Sequence, residues 1–365
     1  MGLSIKQRIG LELQRSLRKT NEQLHPLRTL FWECTLRCNM SCRHCGSDCK
    51  VLPDVKDMPA EDFLRVIDSI TPHVDPHKVF IIFTGGEALL RDDLEEVGLE
   101  LYRREYPWGV VTNGFLLDEK RLDRLMASGM HSITVSLDGF EEQHNWIRRH
   151  PQSFEKATQA ISLLAQQKEL LWDVVTCVNP QNYPHLREFK EYLISLGVPA
   201  WRLFSIFPMG RAAHDPDLQL TNEQFRGILD FIKECRESNA QTIEQSSNQT
   251  IINVSYACEG FLGEYEQKVR DQFFHCRSGI DVASIRCDGG ISGCTSVRSH
   301  MDQGNIYKDD FWDVWQNRFQ VMRDRSWAKK GLCKDCKVWR YCEGSGLHLY
   351  DDNGELLTCH YHRLM

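Results

Sequence analysis

The chain has 365 residues, 41% hydrophobic and 26% charged, which is ample for a buried core and ordinary for a globular protein. With a formal charge of −7, a basic stripe for nucleic acid is not expected, although the balance leaves room for a local basic patch. No apolar run reaches the ~18 residues that a transmembrane helix needs. The amphipathic start, residues 1–20, lacks the apolar stretch of a secretory signal, and a cytoplasmic protein is expected.

In chain order, Ile9, Leu13 and Leu17 fall on one face of an N-terminal helix. Short apolar strands are expected at 27–33, 78–84, 109–112, 132–137, 171–178 and 200–207. Between them lie helical patterns: Phe63, Val66, Ile67 and Ile70; Leu94, Val97 and Leu101; Leu186, Phe189, Leu193 and Leu196. Gly129 and Gly197 stand where helices should stop. Six strand–helix units imply an α/β fold with a parallel sheet and helices outside it. Six units are too few to close an eight-stranded barrel. A partial (β/α)6 TIM-like barrel is expected, with its site at the C-terminal ends of the strands.

After about Thr221 the character changes. A helix over 225–235 runs into a polar stretch, 237–250, that reads as a linker or mobile bridge. From about Ile251 the elements are short and the apolar content looks too low for a separate core, so metal centres are expected to hold this tail.

Cysteine is the outlier, at 15 residues. Five lie between Cys34 and Cys49 and eight between Cys258 and Cys359, leaving Cys177 and Cys235 as presumed packed thiols. Clustered thiols in a reducing compartment point to metal rather than disulfides. Cys38, Cys42 and Cys45 form a C-x3-C-x2-C run just after the first strand. Three thiolates leave a tetrahedral zinc ion short of a ligand, but they suit a cubane cluster with one open iron. A structural zinc site completed by Cys34 or Cys49 is the alternative. Three further motifs end successive strands: Thr84-Gly85-Gly86-Glu87, Thr112-Asn113-Gly114 and Ser136-Leu137-Asp138-Gly139. Each alone is ordinary turn chemistry, but together they favour one shared ligand.

With these motifs, the chain resembles the radical S-adenosylmethionine (SAM) superfamily from about Leu27 onward. The resemblance implies that Cys38, Cys42 and Cys45 bind a [4Fe–4S] cluster whose open iron takes the amino and carboxylate groups of SAM. It implies that Gly85, Gly86 and Glu87 hold the SAM ammonium, and that Asn113 belongs to the same cofactor site. Ser136 and Asp138 match ribose and carboxylate contacts, Arg148 a partner of the SAM carboxylate, and His44 a position near the adenine. The chemistry implied is reductive cleavage of SAM to a 5′-deoxyadenosyl radical, with electrons from an external flavodoxin- or ferredoxin-type donor.

The tail resembles the SPASM extension of peptide-modifying members, which carries two auxiliary [4Fe–4S] clusters. By that resemblance Cys333, Cys336, Cys342 and Cys359 bind the distal cluster. Cys276, Cys294 and, upstream, Cys258 bind the proximal one, with Cys287 as a spare. The family cysteine four residues after Cys342 is here Gly346, so the proximal cluster has either a substitute ligand or an open iron. Thr295 replaces the Asp that follows the cysteine matching Cys294 in sulfatase-maturing members, and no catalytic acid or base is assigned. Arg211, in Pro208-Met209-Gly210-Arg211, reads either as a substrate-carboxylate contact or as a cap; His348 and His360 read as structural.

The expected division is a helical segment at 1–26, the partial barrel at 27–213, a bridge at 214–257 and the SPASM domain at 258–365. The expected function is oxidative modification of a peptide or protein, by crosslinking or side-chain oxidation. The alternatives are a peptide epimerase, tailoring of a small molecule or cofactor precursor, and a non-catalytic zinc-stabilised binding protein.

Overall fold

Helix α1 (Ile5–Leu24) leads into strand β1 (Thr29–Thr35), after which helices and strands alternate. They are α2 (Ala60–Ile70), β2 (Phe80–Gly85), α3 (Leu94–Arg103), β3 (Trp108–Thr112), α4 (Glu119–Ala127), β4 (Met130–Ser136), α5 (Glu141–Arg148), α6 (Ser153–Leu164), β5 (Leu171–Val178), α7 (Leu186–Ser195) and β6 (Ala200–Ser205). Then come α8 (Asn222–Glu244), β7 (Asn253–Tyr256), β8 (Val282–Ile285), β9 (Gly290–Ser292) and β10 (Gly304–Asn305). The computed structural model describes residues 3–47, 49, 56–244, 251–257, 259–297 and 299–365.

The strands form one sheet in the order β10-β9-β8-β1-β2-β3-β4-β5-β6-β7. Pairs from β8–β1 through β6–β7 are parallel, and β8–β9 and β9–β10 are antiparallel. Helices cover the outer face, and alternation sets the two faces apart. In β5, Trp172, Val174, Thr176 and Val178 are buried under the helices, while Asp173, Val175 and Cys177 face the half-open lumen. The outer layer packs around Trp32, which stacks on Phe63 at 4.2 Å and meets Phe83 edge-on. Gly129 and Gly197 follow α4 and α7 with φ of +86° and +78°, the left-handed exit that glycine permits.

Two expectations change. The polar stretch taken as a linker is helical as far as Glu244, because its Gln, Asn and Ser residues include no helix breaker and Asn239 is tied to Ile252 O at 2.7 Å. Residues 245–250 lie outside the described residues. The tail also does not lack a core: Ala283, Ile285, Ile291, Phe311, Trp315 and Phe319 join the barrel's own apolar core, and β7 to β10 extend its sheet.

Helix α1 lies against the tail. Leu11 packs with Phe261, Phe273, Val338 and Cys342, and Gln7 Nε2 donates to Glu264 O at 2.8 Å. Buried Arg18 pairs with Glu22 and Glu343. The stripe Ile5, Ile9, Leu13 and Leu17 faces outward and is exposed. Among the described residues, no helix is long and apolar enough to cross a membrane.

Candidate active site

The cysteine loop leaves the end of β1 and is held from three sides. Gly86 N–H donates to Thr35 O and Glu87 N–H to Arg37 O, both at 2.8 Å. A Cβ on Gly85 would lie 2.2 Å from Thr35 O, and one on Gly86 2.2 Å from Arg37 O, so only glycine lets this turn lie so close to the loop. From α5, Ile147 O accepts from Arg43 N–H at 2.7 Å, and the Arg43 guanidinium stacks 4.1 Å from the Trp146 ring centre. From the segment after β6, Arg211 Nε donates to Cys42 O at 2.7 Å and its N–H to Cys45 O at 3.1 Å. Arg211 is therefore engaged as a brace of the cysteine loop, a role outside both sequence readings of it.

Cys38, Cys42 and Cys45 gather close enough to raise one another's cost of ionisation. Cys49, one of the two thiols that the zinc alternative offered as a fourth ligand, hydrogen-bonds to the Cys38 and Cys45 thiols. Cys34 is a packed thiol, donating to Thr84 O at 3.1 Å, and burial pushes its pKa up.

The strand-end motifs surround the same mouth. Glu87, 2% exposed, accepts from Thr112 Oγ1 at 2.6 Å, Asn113 N–H at 2.8 Å and Leu89 N–H at 3.1 Å. Burial raises its pKa and these donors oppose the rise. They take three of the carboxylate's roughly four acceptor positions. Asn113 Nδ2 reaches Asn39 Oδ1 at 2.8 Å, tying the third strand end to the residue after Cys38. Ser136 ends β4 half-buried on the lumen side.

Asp138 is fully buried, accepting from Arg148 Nε at 2.6 Å and Cys177 N–H at 2.8 Å. Burial alone would raise its pKa, but Arg148 and the nearby His44 and His144 hold it at about 2. Arg148 Nη1 also lies 3.9 Å from Cys42 Sγ, so one guanidinium spans the strand end and the cysteine loop. Burial lowers His44 to about 4, and its Nδ1 has no hydrogen-bond partner. His44, Asp138 and Cys177 bring their ligand-type atoms within 4.8 Å of one another.

In the tail, Cys333, Cys336, Cys342 and Cys359 line one small cavity with Leu332 and Val338. The Cys276 thiol accepts from Leu347 N–H and Ser278 N–H and faces Arg325. Burial opposes its ionisation, but Arg325 and the two donors bring its pKa down. Cys294 follows β9, next to Gly293, where a Cβ would meet Ser278 Oγ at 2.2 Å. Cys287 does not join them. In the β8–β9 hairpin Ser284 faces Ser292, which puts Cys287 at the turn and Cys294 near the far end, roughly 15 Å apart along the ribbon. Its thiol donates to Lys56 O at 3.4 Å. Cys258 lies outside the described residues.

Residues 32–193 match the Radical SAM superfamily, and residues 276–337 match SPASM, an iron-sulfur cluster-binding domain. The chain carries a radical SAM domain followed by a SPASM domain. The "AdoMet-dependent heme synthase" of Oleidesulfovibrio alaskensis is 25% identical over 89% of this chain and 86% of its own length. The "Mycofactocin maturase MftC" of Mycolicibacterium smegmatis is 26% identical over 86% of this chain and 76% of its own. The solved structure "Native anSMEcpe with bound AdoMet and Cp18Cys peptide" shares the fold, with a TM-score of 0.69 and 18% identity over 93% of this chain and 94% of that one.

A radical SAM domain implies SAM and an iron–sulfur cluster, and a SPASM domain implies auxiliary clusters. The residues present fit these groups: three converging thiols, a glycine cradle that any side chain would fill, and an unpartnered His44 Nδ1 beside them. The structure brings the strand-end residues to one mouth, and Cys177, read from the sequence as a packed thiol, stands there with them. Its signal was parity: on β5 it alternates with buried Thr176 and Val178, which turns it to the lumen at the C-terminal end of the strand.

Proposed function

We propose that this radical SAM enzyme oxidatively tailors a cofactor precursor of the iron–porphyrin kind. The observation that carries the substrate class is the run of relatives named as heme synthases. They extend over about nine-tenths of the chain, and "Fe-coproporphyrin III synthase" of Methanosarcina barkeri is 24% identical over 87% of it. SAM on a reduced [4Fe–4S] cluster supplies a 5′-deoxyadenosyl radical, and auxiliary clusters supply an electron acceptor, which makes the net reaction an oxidation.

The chain's own residues do the rest. Cys38, Cys42 and Cys45 would hold the SAM cluster, and Arg148 sets a fixed positive charge beside Cys42. Asp138 stays ionised and locks Arg148 in place. Gly85, Gly86 and Glu87 with Asn113, Ser136 and His44 would shape the SAM pocket. Cys333, Cys336, Cys342 and Cys359 would hold one auxiliary cluster, with Cys276 and Cys294 in a second. Burial holds Cys177 as a neutral thiol, an S–H group at the mouth. An external flavodoxin- or ferredoxin-type protein in the cytoplasm would deliver electrons.

The mycofactocin maturase relative supports a second reading, modification of a peptide. The test is 5′-deoxyadenosine release by anaerobically reconstituted enzyme given SAM, dithionite and either Fe-coproporphyrin III or a panel of precursor peptides. Stimulation by the porphyrin, with a matching loss of mass from it, is expected. Stimulation by a peptide alone would transfer the assignment to the second reading, and stimulation by neither would overturn both.

A further inference from the structure

The glycine at 346 raises a local question. Its φ of −75° and ψ of 142° are open to any residue, so the backbone does not require glycine there. Space does. A Cβ at 346 would lie 2.6 Å from His348 Cε1, 2.9 Å from His348 Nδ1 and 2.8 Å from Glu259 O. The His348 imidazole occupies the volume in which a side chain at 346 would begin.

Leu347 N–H, between the two residues, donates to Cys276 Sγ, and Arg325 faces the same thiol while its Nη1 lies 3.4 Å from Ser345 O. Around this point a set of buried polar atoms has no hydrogen-bond partner: His348 Nε2, Arg325 Nη2, Ser345 Oγ and His360 Nδ1. Buried groups in folded proteins are nearly always paired, so such a concentration marks the place of a missing polar group. A cluster there would take donors from Arg325 and Ser345 on its sulfides and offer an iron to a free ring nitrogen. His348 Nε2, buried and without a hydrogen-bond partner, is the ring atom left free to bind.

We propose that His348 Nε2 is a ligand of the proximal auxiliary cluster, together with Cys276 and Cys294, in the place that a cysteine at 346 would otherwise take. This rests on the reading that the tail holds two auxiliary clusters. A neutral imidazole in place of an anionic thiolate makes the cluster one charge unit more positive and raises its reduction potential, as histidine ligation does in Rieske centres. The substitution makes the proximal cluster a stronger electron acceptor.

The experiment is pulsed EPR on the reduced, reconstituted enzyme without SAM, prepared with natural-abundance or 15N-labelled histidine, alongside iron and sulfide analysis. Expected are about twelve irons per chain and a directly bound nitrogen coupling that changes from 14N to 15N with the label. His348→Ala should abolish that coupling. The double variant Gly346→Cys with His348→Ala should keep about twelve irons, lack the coupling and show a lower proximal potential. Wild-type enzyme with about twelve irons and no histidine coupling, or an unchanged coupling in His348→Ala, would overturn the ligand assignment. About eight irons in the wild type would instead overturn the two-cluster reading, and this assignment with it.

Discussion

Arg148 and Asp138 form a buried pair whose members depend on each other: 8% and 0% exposed, with no water to replace either partner. Removing one charge strands the other, a loss of about 3–5 kcal/mol in such pairs. Asp138→Asn is therefore expected to lower stability by that order in urea titration and to weaken SAM binding, since Arg148 then loses its anchor. Because Asp138 titrates near 2 in the fold, below the usual carboxylate value, its contribution is complete above about pH 4 and fades only as pH falls toward 2.

His144 acts earlier. Its Nδ1 accepts from Asp138 N–H, and burial depresses its pKa to about 3, so the fold needs the neutral ring. The unfolded chain binds that proton near pH 6.5, so the stabilisation is complete above this and is lost as pH drops toward 3. Between pH 6 and 4, His144→Asn, which keeps an acceptor, should reduce the slope of unfolding free energy by up to about 1.4 kcal/mol per pH unit. An unchanged slope would refute this account of the ring. At this scale the sequence showed which residue types converge, because motifs at strand ends share one mouth. It did not show Cys177 or the Arg211 brace, because those depend on side-chain direction and on contacts between residues distant in the chain.

The turn after β2 shows what an element contributes. It donates two backbone hydrogen bonds to the loop that carries the cysteines, and it does so at a distance only glycine allows. Gly86→Ala drives a methyl into the Arg37 carbonyl. A cost of about 1–3 kcal/mol is expected, along with a displaced Cys38 and a fall in iron per chain, while far-ultraviolet circular dichroism stays unchanged. Iron content equal to wild type would show the loop to be independent of this turn. The six main strands were legible because each is a short apolar run bounded by turn residues. β1 continues to Thr35 because its pairing with β2 persists through a register shift between Glu33 and Thr35. β8 to β10 were not legible: at two to four residues each they carry too little alternation, and β8 is defined by pairing with a strand some 250 positions away.

Across the whole molecule, the first helix and the last hundred residues form one unit. Leu11 covers Cys342, Glu12 accepts from Tyr341 Oη at 2.7 Å, and Arg18 reaches Glu343. Deleting residues 1–24 is expected to expose the distal thiols. Iron should then leave the tail to a chelator faster than from the intact chain, while the iron that Cys38, Cys42 and Cys45 are proposed to hold leaves at the wild-type rate. Equal release of all iron in both proteins would count against α1 as a cover of the tail.

The β8–β1 pairing also has a temporal meaning. A ribosome releases β1 some 250 residues before its neighbour β8 exists, so for most of synthesis the edge at 29–35 lacks its native partner. The nascent barrel is thus an incomplete sheet with an adhesive border, and only the cysteine-rich end of the chain seals it. A gene truncated after α8 should yield aggregate rather than a smaller enzyme, because the border at 29–35 would never meet β8.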